Sequence, residues 1–78
     1  MSYLTKPSSH YAAITPSDST NFDQCRSIYV GVAGDVVAVR PDNTAVTFKN
    51  AVAGSTLPIE AIRVNSTSTT ATDLVALY

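Results

Sequence analysis

The alternation of apolar and polar residues from Arg26 onward is typical of β-strands. The stretch RSIYVGV places Ile28, Val30 and Val32 on one face of a strand and polar or small residues on the other. No window carries a convincing helical stripe with a 3.6-residue repeat. The strand-like stretches are separated by Gly, Pro, Asp and Asn, so the sequence predicts an all-β fold. We expect a small β-sandwich or barrel of about six or seven short antiparallel strands.

Three connecting segments give more specific expectations. The residues AGD at 33–35 predict a tight turn, and PDN at 41–43 is a strong turn signal with Pro41 suited to the first central position. The stretch LPIEAIRVN at 57–65 alternates in a way that predicts a further strand, with Ile59, Ala61 and Arg63 on one face.

The first twenty residues differ from the rest of the chain. They are rich in Ser, Thr and Pro and lack a clear periodicity, and Pro7 and Pro16 disfavour a helix. We therefore predict an extended N-terminal arm over residues 1–20, with a short strand at 11–15, and a single β domain over residues 21–78.

The chain ends in DLVALY, which is apolar on both faces of the predicted strand. Leu74, Ala76 and Tyr78 share one face, and Val75 and Leu77 share the other. A strand in a small sandwich usually buries one face and exposes the other to water. The stretch DVVAV at 35–39 is also apolar on both faces, so we expect a second cover for these strands, either the arm or a neighbouring subunit.

Size and composition also favour association. The chain has 78 residues, and only 14% of them are charged. Domains of this size bury a thin core and usually need a disulfide, a metal or a partner for stability. Cys25 is the only cysteine and His10 the only histidine, so neither an intrachain disulfide nor a Cys/His zinc site is expected.

Several classes of function lack support. The net charge is −1 and the five basic residues are dispersed, whereas nucleic-acid binding normally needs a concentrated basic patch. No apolar run is long enough for a membrane helix, and the N-terminus lacks the core of a secretory signal. No motif joins a nucleophile to a base, so we expect no enzymatic activity and no cofactor or metal.

An ordered set of segments carries a family resemblance. The segments are TPSDST, CRSIYVGVAGDV, VTFKNAVAGSTLPI and TTATDLVALY, and the resemblance covers roughly residues 14–78. Together they resemble the head spike base and capsid-surface proteins of tailed bacteriophages and gene transfer agents.

That resemblance implies a virion structural protein on the exterior of the capsid, assembled in the host cytoplasm. Such a decoration protein or head spike base is β-rich and forms a homo-oligomer, for which a trimer or a pentamer is expected here. The implied partners are the major capsid protein and a spike or fibre protein. The family has no catalytic residues to carry over.

Two groups of residues are the candidate sites. We predict a subunit interface at Val75, Leu77 and Tyr78, because the terminal strand is apolar on both faces. We predict a capsid anchor at Tyr3, Leu4 and Tyr11 in the arm, since extended segments can add to sheet edges.

A different class of function remains open as the alternative. A small carbohydrate-binding β-sandwich would use exposed tyrosines and the Thr-rich loop near the C-terminus.

Overall fold

The computed structural model describes residues 9–78, which contain seven strands and no helix. The strands are β1 (Tyr11–Ala13), β2 (Ser27–Val32), β3 (Gly34–Val39), β4 (Ala45–Ala51), β5 (Thr56–Leu57), β6 (Arg63–Val64) and β7 (Thr72–Leu77). Within this part of the chain, no helix has the length and apolar character that crossing a membrane requires.

The strands form two antiparallel sheets. The four-stranded sheet has the order β1-β7-β2-β5, and the three-stranded sheet has the order β4-β3-β6. The sheets remain separate and do not close into a barrel. The prediction of an all-β fold with about six or seven short antiparallel strands is therefore confirmed, in its sandwich form.

The C-terminal strand is central in the four-stranded sheet. β7 pairs with β1 on one side, where Ala12 faces Ala76, and with β2 on the other, where Ile28 faces Ala76. Beyond β1, the amide of Ile14 donates to the carbonyl of Leu74 and the amide of Tyr78 donates to the carbonyl of His10. β7 thus joins the N-terminal segment to the rest of the domain.

The core lies between the two sheets. From the four-stranded sheet, Ile28 and Val30 of β2 and Leu74 of β7 are almost completely buried. From the three-stranded sheet, Val36 of β3 and Val64 of β6 face them. Alternate residues of each strand supply this core, as a period of two requires.

The predicted tight turn at 33–35 is wrong. β2 and β3 do not pair with each other, and only Ala33 separates them as the chain moves from one sheet to the other. Gly34 makes this step possible because a Cβ atom there would lie 2.5 Å from the backbone nitrogen of Ala71. Close backbone approach, rather than a reversal of direction, explains the glycine.

The turn at 41–43 is confirmed and joins β3 to β4. The amide of Asn43 donates to the carbonyl of Arg40, which places Pro41 at the first central position. Asn43 then adopts a φ of 72°, in the left-handed region that Asn tolerates, and the amide of Arg40 donates to the carbonyl of Thr44.

The expectation of a single strand across 57–65 is also wrong. β5 ends at Leu57 in the four-stranded sheet, and β6 begins at Arg63 in the three-stranded sheet. Between them, Ala61 forms an isolated bridge with Cys25. Pro58 lacks the amide that a continuing strand would donate, and the chain crosses between the sheets here instead.

The Thr/Ser-rich loop after β6 completes the three-stranded sheet. The amide of Val37 donates to the hydroxyl of Thr69 at 3.0 Å, and the amide of Asp35 donates to the hydroxyl of Thr70 at 2.8 Å. The loop is tied in turn to Asp18, whose carboxylate accepts hydrogen bonds from the amide and hydroxyl of Thr67. Side-chain hydroxyls therefore satisfy backbone groups of β3 that lie beyond the end of β6.

Candidate subunit interface

The outer face of the four-stranded sheet is a continuous surface built from β1, β7, β2 and β5. Residues directly opposite each other in an antiparallel pair share one face of the sheet. One row joins Tyr11, Leu77 and Ser27, and the next joins Ala13, Val75, Tyr29 and Thr56. We call these seven residues the outer-sheet face. None of them is charged, and most are apolar or aromatic.

Much of this face is accessible to solvent in a single chain. Tyr11 is 64% exposed and Tyr29 is 38% exposed, and Val75 and Leu77 between them are half-buried. Contiguous apolar surface with aromatic residues and no charge is the composition that protein interfaces favour at their centre. The outer-sheet face therefore has the composition to pack against the surface of another protein.

Two of the three predicted interface residues lie on the outer-sheet face. Val75 and Leu77 belong to it, whereas Tyr78 follows them on the opposite side of the strand and packs against the core. The ring of Tyr78 stacks on His10, with ring centroids 4.6 Å apart, and burial raises the pKa of its hydroxyl. Tyr78 therefore fixes the end of β7 rather than extending the outer-sheet face.

The structure adds Tyr29 and Ala13 to the residues that sequence reasoning selected. The alternation of RSIYVGV already places Tyr29 opposite the core residues Ile28 and Val30. The pairing of Tyr29 with Val75 depends on the strand order, which no local pattern reveals.

The predicted capsid anchor is described only in part. Tyr11 lies in β1, at the edge of the four-stranded sheet, and contributes to the outer-sheet face. Tyr3 and Leu4 lie outside the described residues. Within the predicted arm, residues 11–13 belong to the sheet, and Ile14 is 9% exposed and part of the core.

The described residues offer little for catalysis. Cys25 is 2% exposed, and burial raises the pKa of its thiol, which disfavours the nucleophilic thiolate. Across residues 9–78, no group of three or more His, Cys, Asp or Glu side chains could hold a metal ion. Three of the acidic residues instead accept backbone amides at 3.0 Å: Asp18 from Thr67, Asp35 from Asn50 and Asp42 from Thr44.

Comparison with known proteins gives a match among solved structures. Neither a scan against protein-family models nor a search of curated proteins found a match. Among solved structures, the chain is similar to a component of the "Capsid of native GTA particle computed with C5 symmetry", where GTA denotes a gene transfer agent. The two are 36% identical over 96% of this chain and 88% of the other, with a TM-score of 0.85. The chain belongs to the family of this protein from the capsid of a gene transfer agent.

Proposed function

We propose that this protein is a structural protein of a phage-like particle, located on the capsid exterior as a decoration protein or head spike base. The observation that carries the proposal is the 36% identity with a chain of a gene transfer agent capsid over nearly the whole domain. That similarity favours a structural role over an enzymatic one. The apolar outer-sheet face then supplies a surface for assembly.

The proposed subunit contact is the outer-sheet face, with Val75 and Leu77 near its centre. Burying these side chains and Tyr29 would remove apolar area from water, at about 25 cal/mol per Å². The seven residues of the face carry no charge, and Asp73, on the same side of β7, lies exposed in the next row beside Gly31. Tyr78 supports the contact indirectly, by holding the end of β7 against His10.

We infer a closed ring of three or five copies. In a ring, one surface of a subunit meets a different surface of the next, and the outer-sheet face can serve as one of the two. The related capsid was computed with C5 symmetry, and this favours five copies if the protein lies on the fivefold axis. Such a ring on the capsid exterior could carry a separate spike or fibre protein.

The proposed contact with the major capsid protein includes Tyr3, Leu4 and Tyr11. Tyr11 supports this assignment because it is the most exposed tyrosine of the described residues and lies at a sheet edge. Deleting residues 1–8 leaves β1 intact and should lower the amount of protein on particles. Normal occupancy of the deletion variant would contradict an anchor in that segment.

Particle incorporation tests the proposed function directly. Particles are assembled in cells that supply the wild-type chain, Leu77→Asp or Val52→Asp, and the bound protein is quantified by mass spectrometry. Val52 is the matched control because it is 68% exposed and lies outside the outer-sheet face. We expect Leu77→Asp to be depleted and Val52→Asp to be retained. Equal occupancy of the two variants would contradict the proposed contact, and absence of the wild-type chain from particles would contradict the function.

The exposure of Tyr11 and Tyr29 on one sheet face also favours the second candidate, carbohydrate binding. Aromatic rings on a flat β-face can stack on sugar rings. A glycan array with the wild-type chain and a Tyr11→Ala, Tyr29→Ala variant tests it. Tyrosine-dependent glycan binding, together with absence from particles, would favour this candidate over the capsid role.

A further inference from the structure

β4 is the long unpaired edge of the domain. Strands β1, β5 and β6 have three, two and two residues, whereas β4 has seven and lies at the end of the three-stranded sheet. The far side of the β6 region is covered, since Ser17 and Phe22 donate to the carbonyls of Val64 and Ile62. In the described chain, no backbone–backbone hydrogen bond outside the strand ladders involves β4, and the amide of Asn50 donates to the carboxylate of Asp35 at 3.0 Å. Proteins usually protect such an edge or use it.

The hydrogen bonds of β3 show which groups of β4 are unpaired. Val37 donates to Thr69 and accepts from Asn65, so its backbone groups point away from β4. Its register partner is Thr47. Because backbone direction alternates along an antiparallel strand, Ala45 and Thr47 direct their N–H and C=O groups outward. The register shifts between Val36 and Gly34, so Lys49 and Asn50 both lie opposite Asp35 in a β-bulge that ends the regular alternation. The outward groups of Ala45 and Thr47 form the unpaired part of this edge.

The side chains of β4 leave apolar surface beside this edge. Val46 is 42% exposed, and Phe48 on the same face is half-buried. Both line a groove of about 400 Å³ with other residues of the inner face and the β3–β4 turn: Ala38, Arg40, Pro41, Ile59 and Glu60. A strand added to β4 would place alternate side chains next to Val46 and Phe48.

We propose that β4 pairs antiparallel with β4 of a second copy, about a twofold axis at Thr47. In this register Thr47 faces Thr47, Val46 faces Phe48, and Ala45 faces Lys49 of the other copy. The outward N–H and C=O groups of Thr47 then pair with those of Thr47 in the other copy. Aromatic pairs with β-branched residues and Thr–Thr pairs are favourable cross-strand combinations.

Charge also permits this register. Lys49, whose ammonium lies 3.7 Å from the carboxylate of Asp35, would face the small residue Ala45 of the other copy. No two like charges are opposed within the seven-residue strand. The contact is isologous and uses a surface different from the outer-sheet face, so it does not depend on the proposed function.

Paired charges at Thr47 test the register. Light scattering would measure the mass of the full chain, of Thr47→Lys, of Thr47→Glu and of an equimolar mixture of the two variants. We expect each variant alone to have half the mass of the wild type, because like charges meet at the axis, and the mixture to regain the wild-type mass. Thr20→Lys, at an exposed threonine between β1 and β2 that belongs neither to β4 nor to the outer-sheet face, is the matched control and should keep the wild-type mass.

A crosslink provides an independent measurement. Directly opposed residues of an antiparallel pair bring their Cα atoms within disulfide range. Thr47→Cys should form a covalent dimer on mild oxidation and Thr20→Cys should not, since native Cys25 is buried. Unchanged mass of Thr47→Lys, or no recovery in the mixture, would overturn the proposal, as would a Thr47→Cys variant that forms no crosslink. If the ring forms and its mass does not change in the Thr47 variants, this inference is overturned and the proposed function is not.

Discussion

Strands β3 and β7 have the same apolar character in sequence but different environments in the folded chain. In β3, Val36 and Val39 are fully buried and Val37 is 7% exposed, although they lie on two different faces. In β7, Leu74 on the inner face is 2% exposed, while Val75 and Leu77 on the outer face are only half-buried. A single chain covers both faces of β3 and only one face of β7.

The difference follows from what surrounds each strand. Next to Val39, on the same face, lies Arg63 of β6, whose guanidinium donates to the side-chain oxygens of Asn21 and Asn65 at 3.0 and 2.9 Å. Segments of the same chain thus lie over this side of β3. The neighbours of β7 on its outer face are the exposed Tyr11 and Tyr29. Two-faced apolar character therefore indicates a need for cover, and only the tertiary structure shows which cover is missing.

A charged residue on the second face of each strand should give the largest difference between β3 and β7. Val37→Asp places an unpaired carboxylate in a buried position and should destabilise the fold by at least about 3 kcal/mol. Leu77→Asp places the same group on a half-exposed surface, so the domain should stay folded and lose assembly instead. Urea unfolding followed by circular dichroism measures both effects. Equal destabilisation of the two variants would show that the outer-sheet face is buried within one chain.

The variant Gly34→Ala should disturb the start of β3, with a smaller loss of stability than Val37→Asp. The added Cβ would lie 2.5 Å from the backbone nitrogen of Ala71, so strand and loop must separate, at a cost of about 1–3 kcal/mol. Gly54→Asn is the control, because Gly54 has a φ of 81°, which Asn tolerates, and no atom within 4 Å of the added Cβ. Thermal unfolding should show a lower midpoint for Gly34→Ala than for the control. Equal midpoints would mean that the Thr/Ser loop does not restrain β3.

Acid should weaken the hydrogen bonds that Asp18 makes to the Thr/Ser-rich loop beside β3. We expect this to be the smallest of the three effects on stability. Hydrogen bonds from the hydroxyl and amide of Thr67 lower the pKa of Asp18 from its ordinary value of 3.8. Because the folded pKa is below the unfolded one, the stabilisation is present above pH 3.8 and is lost as the pH falls through the folded value.

The variant Asp18→Asn should show a shallower loss of stability in that acidic window than the wild type, with little change in assembly at neutral pH. Denaturant unfolding at a series of pH values measures this difference. Asp42→Asn is the comparison, since Asp42 has a lowered pKa for a similar reason but lies in the β3–β4 turn. If the wild type and Asp18→Asn lose stability in the same way as the pH falls, Asp18 does not contribute to the acid sensitivity of the fold.

The strands and the Pro41 turn could be predicted from sequence because their signals are local. Alternation identified β2 and β7, and Pro41 with Asn43 fixed the hairpin between β3 and β4. The step at Gly34 and the break after Leu57 could not be predicted in this way. In both, the chain changes sheets. Pro58 is a local signal that a strand ends, but the contacts that place the next segment in the other sheet, with Ala71 beside Gly34 and Cys25 bridged to Ala61, come from residues distant in sequence.

The candidate interface was predictable only in part for the same reason. The two-faced pattern of DLVALY selected Val75 and Leu77. The predicted interface also included Tyr78, although the same pattern places Tyr78 on the other face, where the structure packs it against the core. The pattern could not show that β7 is central, nor that Tyr11 and Tyr29 lie beside it. Those contacts arise from the strand order β1-β7-β2-β5.

The mass of the chain in solution tests the central claim, that the outer-sheet face joins subunits. Light scattering at several concentrations would compare Thr47→Lys, which removes the β4 contact, with the double variant Thr47→Lys, Leu77→Asp. We predict a trimer or a pentamer for the single variant and a folded monomer for the double variant. A single variant that is a folded monomer at all concentrations, or a double variant of unchanged mass, would contradict the claim.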